Sequence, residues 1–184
     1  MKYYTMTIAG KERKLPLFPI NDNLQIAAFI MFGDVEITTE SAKALAEKAP
    51  DFDVVVTAES KGIPLAYEFA RLTGHNYIVA RKAPKLYMRD IVYADVDSIT
   101  TEGMQKLCLG SDDAVLLKGK KVLIIDDVIS TGESLAALES LVSACGGEIC
   151  ARMAVLAEGE AADREDIIFL EKLPLFDKEG NPIA

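Results

Sequence analysis

The sequence predicts an α/β fold in which a mostly parallel central sheet is flanked by helices. Three observations carry that expectation. Short β-branched runs recur along the chain, stretches with helical periodicity alternate with them, and the helical stretches end at glycine or proline stops.

Taken in order, the first core helix is expected in TTESAKALAEKAP, opening at the Thr/Glu/Ser cluster and ending before Pro50. It feeds the strand DVVVTAE, centred on residues 54–56. IPLAYEFARLTG reads as a helix with Leu65, Phe69 and Leu72 on one face and a stop at Gly74. NYIVARK supplies a strand at residues 77–80, and KVLIIDD another at residues 122–125 that ends at Asp126 and Asp127. SLAALESLVSACGG is a helix with Leu135, Leu138, Leu141 and Val142 inward and a Gly-Gly stop, followed by the strand ICARMAVLAE at residues 151–156.

The core thus runs from about residue 39 to 158, inside one domain covering residues 1–184. Residues before about 37 and after 158 form a smaller cap, with no Pro/Gly/Ser-rich linker between. Residues 83–119 break the rhythm: they hold Pro84, many polar side chains and VYADVDSITTE, which reads as a β-ribbon. So long an excursion from a compact domain is more often a functional lid than filler.

Composition excludes several classes. Half of the 184 residues are hydrophobic, 27% are charged, and the net charge is −9. Such a chain repels polyanions and acidic membranes, so neither a direct nucleic-acid partner nor a membrane is expected, and an anionic ligand needs a local pocket of amides and cations. No apolar run is long enough for a bilayer, and MKYYTMTIAGKERK has no apolar h-region, which makes the cytoplasm the expected location. Cys108, Cys145 and Cys150 lack metal-ligand spacing and lie far from the single histidine, His75, so they are expected as reduced thiols.

The chemistry concentrates in VLIIDDVISTGES. An aliphatic strand delivers two carboxylates to the carboxyl edge of a sheet, where ligands of open α/β folds bind. The short loop Ser130-Thr131-Gly132 then turns into a helix near Glu133 or Ser134, aiming free N–H groups and the positive helix end at one point, which suits a phosphate. Paired carboxylates beside a phosphate site accept hydrogen bonds from sugar hydroxyls or hold the water shell of magnesium. The plain alternative is a solvated strand end followed by a helix cap.

This motif resembles the phosphoribosyl-pyrophosphate (PRPP) signature of type I phosphoribosyltransferases: an aliphatic strand, two acids, two aliphatics and a Thr-Gly loop. The resemblance implies that Asp126 and Asp127 bind the ribose hydroxyls, directly or through Mg2+ and its waters. It implies too that Ser130, Thr131, Gly132, Glu133 and Ser134 cradle the 5-phosphate. Glu133 departs from the family, where many members have a second glycine, and is expected to point away from the phosphate.

Upstream, Ala58-Glu59-Ser60-Lys61-Gly62 between strand and helix looks like the pyrophosphate loop of the same family. Gly62 admits close approach of an anion, Ser60 and Lys61 add donors, and Pro64 suits a first helical turn. Arg81, Lys82 and Lys85 after the next strand resemble the basic group that contacts pyrophosphate at the start of the mobile lid, which would close with residues 83–109.

ESKGIPLA with VARKAPKL is more similar to adenine and xanthine phosphoribosyltransferases, and to the related purine-operon repressor, than to the orotate branch. Ser130 stands where hypoxanthine-guanine enzymes carry an aspartate, which weakens that assignment. The resemblance implies Mg2+-dependent transfer of a phosphoribosyl group from PRPP to a purine, in a homodimer. A PRPP-binding regulator of the same fold is the alternative, disfavoured as a DNA binder by the acidic charge and by an N-terminal stretch too short for a preceding winged helix. LPLFPINDNLQIAAFI is expected as a hood over the base, with Phe18, Phe29, Val128 and Ile129 as candidate contacts. No general acid or base is identified; Glu102, Asp95 and Tyr87 in the lid segment read as solvated side chains.

Overall fold

The computed structural model describes residues 2–94 and 107–183. The chain opens as antiparallel strands β1 (Tyr3–Ile8), β2 (Lys11–Pro19) and β3 (Leu24–Ala27). Helix α1 (Val35–Ala46), strand β4 (Val54–Ala58), helix α2 (Ile63–Thr73) and strand β5 (Asn76–Ala80) begin the α/β core. The short strands β6 (Val92–Tyr93) and β7 (Cys108–Leu109) and helix α3 (Ser111–Leu117) lead to strand β8 (Lys121–Ile129), helix α4 (Glu133–Ala144) and strand β9 (Glu148–Glu158). After a 3-10 turn (Gly159–Asp163) come β10 (Ile168–Leu173), β11 (Leu175–Asp177) and β12 (Pro182–Ile183).

The central sheet has the order β10-β9-β8-β4-β5, and every pairing in it is parallel. An interior strand explains the composition: all five residues of β4, between β8 and β5, are buried, because helices cover both faces, and such a strand reads as a continuous aliphatic run. On one face α1 and α2 pack with Leu45, Leu65 and Phe69 against Leu123 and Ile125; on the other α4 packs Leu135, Leu138 and Leu141 against Val122 and Ile124. A second sheet, β1-β2-β3-β11-β12, joins the N-terminal and C-terminal segments.

Two element boundaries and one buried face differ from the sequence reading. Helix α1 starts at Val35, ahead of the Thr/Glu/Ser cluster, because Asp34 caps it by accepting from the Ile37 N–H at 3.1 Å and is itself held by Arg13 of β2 at 2.7 and 2.9 Å. Thr38 and Ser41 are therefore buried helix interior, not a cap. Leu72 is 37% exposed, since Ala66 and Ala70 complete the buried face of α2 with Leu65 and Phe69. Strand β8 does not stop at the carboxylates. It runs on to Ile129, sustained by β9 through Asp126↔Ala154, Val128↔Leu156 and Ile129↔Ala157, whereas β4 leaves it after Ile124.

The excursion after β5 also holds more structure than its broken pattern suggests. β6 pairs with β7, and Arg81 exchanges backbone hydrogen bonds of 2.9 Å with Cys108, so this ribbon is attached to the end of β5. Leu107, Leu109 and Leu117 are buried in the α4-side core, and Cys108 is buried as well. Most of VYADVDSITTE, with Asp95 and Glu102, lies outside the described residues; Tyr87 is exposed.

Candidate active site

Because β4 parts from β8 after Ile124, the chain leaving β4 folds over the outer half of β8, and a cleft of about 510 Å3 opens there. Residues 58–61, Lys82, Asp126, Asp127, Val128, Ser130 and Ser134 line it, together with the apolar residues 26–30 and Leu173 and with Glu158. A recess of about 50 Å3 adjoins it, walled by residues 128–132, Ser134 and Leu135.

The recess sits at the N-terminus of α4. Gly132 takes a left-handed conformation (φ +82°) that turns the strand into the helix, and no side chain caps the first turn. Glu133 N–H has only the Thr131 hydroxyl at 3.5 Å, so the N-terminal amides of α4 are available to an anion. Glu133 is exposed and lines neither cavity.

Asp126 and Asp127 differ in surroundings. Asp127 is 3% exposed; its Oδ2 stands 2.8 Å from Lys61 Nζ, an ion pair without hydrogen-bond alignment, since the same oxygen has no aligned donor. Asp126 accepts the Asp127 N–H at 2.9 Å. Burial, then the charge of Asp127, pushes the Asp126 carboxyl up to about 8 from its ordinary 3.8. A divalent cation or a set of hydroxyls would relieve the repulsion between the two carboxylates. Among the described residues no three His, Cys, Asp or Glu side chains gather to hold a metal, so a cation here fits only as a hydrated ion on these two carboxylates, where the unaligned Asp127 Oδ2 offers an acceptor.

The raised Asp126 carboxyl yields a pH prediction. A carboxyl that stays protonated in the fold but ionises in the unfolded chain weakens stability as pH rises: the penalty is absent below 3.8 and complete above about 8. Asp126→Asn removes it, so the variant should match the native chain near pH 3 and exceed it by about 1–3 kcal/mol near pH 8. Melting temperatures across that range test this, and a pH-independent difference would contradict it.

The loop after β4 supplies the opposite charge. Its Glu59–Ser60 peptide is cis, and Glu59 accepts the Lys82 N–H at 3.2 Å while facing Arg81 at 3.5 Å and Lys85 at 3.6 Å. The Lys82 N–H first, then Lys85 and Arg81, draws the Glu59 carboxyl below its ordinary range. Arg81 and Lys85 on Glu59, Lys61 on Asp127 and Lys82 in the cleft lining concentrate cationic residues locally in an acidic chain, a natural polyanion site. Gly62 passes under Asp126 so closely that a Cβ there would stand 2.7 Å from Asp126 Oδ1 and 2.4 Å from Thr57 Oγ1.

The cleft thus brings together Glu59, Ser60, Lys61, Lys82, Asp126, Asp127, Val128, Ser130 and Ser134, with Thr131 and Gly132 at the recess and Phe29 in the apolar lining. Arg81 and Lys85 reach it only through Glu59. Two of the candidate base contacts are placed elsewhere. Phe18 is 43% exposed, because the alternation of β2 turns Leu15 and Leu17 inward, and Ile129 is buried in the α4-side core and lines only the recess. Sequence reading missed Glu158, Leu173 and buried Thr57. Glu158 alone carried a signal, as a carboxylate ending a core strand at the sheet's carboxyl edge.

Comparison with known proteins gives this geometry a family. A family model described as a phosphoribosyl transferase domain matches residues 35–177. A xanthine phosphoribosyltransferase of Exiguobacterium sp. is 33% identical over 129 residues, 68% of this chain and 66% of that protein. An adenine phosphoribosyltransferase of Ruminiclostridium cellulolyticum is 38% identical over 114 residues, 60% of this chain and 61% of that protein, so the chain spans a little under two thirds of the length of these relatives. In fold, the crystal structure of adenine phosphoribosyltransferase from Thermoanaerobacter pseudethanolicus superposes with a TM-score of 0.69 at 21% identity, covering 86% of this chain and 95% of that one. The chain belongs to the phosphoribosyl transferase domain family, on a type I phosphoribosyltransferase fold.

Proposed function

We propose that the protein transfers the 5-phosphoribosyl group of PRPP to a purine base and releases pyrophosphate. One observation carries this: a single cleft gathers the uncapped N-terminal end of α4, two carboxylates, a cation-rich loop and apolar side chains. Those four parts match the 5-phosphate, ribose, pyrophosphate and base of the reacting pair.

In this reading, Ser130, Thr131, Ser134 and the first amides of α4 hold the 5-phosphate, and Asp126 and Asp127 accept from the ribose hydroxyls. Lys61, Lys82, Arg81 and Lys85 neutralise the pyrophosphate as its bond to the ribose C1 breaks and a ring nitrogen of the base takes its place. Lys61 exchanges Asp127 for pyrophosphate, and Glu59 gives up part of its hold on Lys85 and Arg81. Mg2+ is the proposed cofactor, held through water by Asp126 and Asp127, and when bound it adds positive charge against the departing pyrophosphate. The protein's work is positioning and exclusion of water, with the largely exposed residues 83–90 as the described part of a lid and the strands around residues 26–30 as the hood; residues 107–117, read from the sequence as lid, are instead core and helix α3. A cytoplasmic homodimer completes the proposal; exposed Phe32, Val35 and Tyr67 beside α1 and α2 offer apolar surface to a second copy.

Glu158 favours an aminopurine. It lines the cleft with the apolar residues 26–30, set beside Leu173 by strand pairing, and burial pushes its carboxyl up while Lys61 opposes. A carboxylate accepts from an exocyclic amine and repels a ring carbonyl. Pyrophosphate release from Mg-PRPP with adenine, hypoxanthine, guanine, xanthine and orotate tests the activity, and tight PRPP binding without turnover on any base would identify a sensor instead. Glu158→Gln, whose amide both donates and accepts, should narrow the ratio of kcat/KM for adenine over xanthine by about tenfold. An unchanged ratio would remove Glu158 from base selection.

A further inference from the structure

Resting on the proposed function, we infer that Arg164 is a further PRPP-binding residue, which acts on the 5-phosphate across the loop at Gly132. The loop itself is short of positive charge. Ser130, Thr131, Gly132, Glu133 and Ser134 include no cation and one acid, so a phosphate there meets only amides, hydroxyls and the helix dipole. Arg164 arrives from a distant part of the chain, after the 3-10 turn that follows β9, and its Nη1 lies 3.0 Å from where a Cβ on Gly132 would stand.

The guanidinium is fixed, not merely nearby. Asp166 accepts from Nε at 2.8 Å and from Nη2 at 2.6 Å, a two-pronged grip that leaves the Nη1 edge toward the loop. Asp166 is in turn 3.9 Å from Arg152 on β9, which pairs with Glu139 on α4. The connection therefore begins in the second turn of α4 and returns to the residue that starts it, holding the positive edge against the Cβ side of Gly132; Arg164 lines neither the cleft nor the recess, so it acts on a phosphate across the loop. The Arg164 side chain is 35% exposed, so its field is partly screened and its effect is moderate. Lysine keeps the charge but cannot make the fork to Asp166.

Calorimetric titration of ribose 5-phosphate, and separately of magnesium pyrophosphate, tests the assignment in the native chain, Arg164→Gln and Arg164→Lys. Arg164→Gln should weaken ribose 5-phosphate by about tenfold at low salt, flatten its salt dependence, and leave pyrophosphate within about twofold, with Arg164→Lys in between. Unchanged ribose 5-phosphate affinity, or equal losses for both ligands, would overturn it. Should Arg164→Gln fail to fold, Asp166→Asn keeps the cation but releases its grip, and should still weaken ribose 5-phosphate selectively; an unchanged affinity there overturns the assignment as well. A native chain that binds neither ligand would refute the proposed function itself, a different outcome from selective failure of Arg164.

Discussion

Asp127→Asn should lower the affinity for Mg-PRPP by about 100-fold while leaving affinity for free pyrophosphate unchanged or slightly higher. The asymmetry follows from the ion pair. Asp127 is buried and its Oδ2 faces Lys61 at 2.8 Å, so under the proposed function the carboxylate would serve the ribose and would also occupy a cation meant for pyrophosphate. The neutral amide loses charge-assisted bonds to hydroxyls or to a hydrated cation, worth about 1.5–3 kcal/mol each, and at the same time frees Lys61. Lys61 is half exposed and stays solvated without its partner, so stability should change by no more than about 1 kcal/mol. Titration calorimetry with PRPP and with pyrophosphate, both with magnesium, measures the two affinities. Equal weakening of both would show that the substitution disturbs the cleft as a whole, and unchanged PRPP binding would sink the ribose assignment.

What the sequence revealed, and what it hid, follows one physical division. Signals confined to a few consecutive residues were legible. Val54, Val55 and Val56 announce a strand buried on both faces, Gly74 ends α2 in a left-handed conformation, and the strand-acid-acid-loop-helix order of β8 and α4 marks the sheet edge where the cleft opens. Features set by pairing between distant segments were not. Two adjacent aspartates look like a strand's end because isolated carboxylates resist burial, yet β9 carries the ladder to Ile129. The cap of α1 was hidden because Asp34 precedes Val35, Ile37, Thr38 and Thr39, β-branched residues that blur a helical start. Leu107 and Leu109 look unpatterned until the ribbon on Arg81 brings them to the core. Glu158 reaches the cleft, and Arg164 the loop at Gly132, only through strand register and a grip from Asp166, which no local spacing records.

Gly62→Ala should reduce kcat/KM for PRPP by about 100-fold with a loss of about 1–3 kcal/mol in stability. The backbone of Gly62 is ordinary right-handed helix (φ −71°, ψ −13°), so the demand for glycine here is one of space and not of conformation. An added Cβ would stand 2.4 Å from Thr57 Oγ1, 2.7 Å from Asp126 Oδ1 and 3.4 Å from the Asp126 Cα. Thr57 is fully buried and cannot yield, and Asp126 belongs to a strand paired with β9 at that very residue, so the loop itself must move. Moving it shifts Lys61 and Ser60 against Asp126 and Asp127, and misplacement by about 1 Å is enough for a loss of that size. The steric origin has its own check: Thr57→Ala in the Gly62→Ala background removes the nearest obstacle, Oγ1, and should recover about tenfold of the lost kcat/KM. A Gly62→Ala enzyme with native kcat/KM would mean that the cleft tolerates the shift. A loss that Thr57→Ala does not relieve would place the obstacle at Asp126, and a further Asp126→Asn change would then separate crowding from charge.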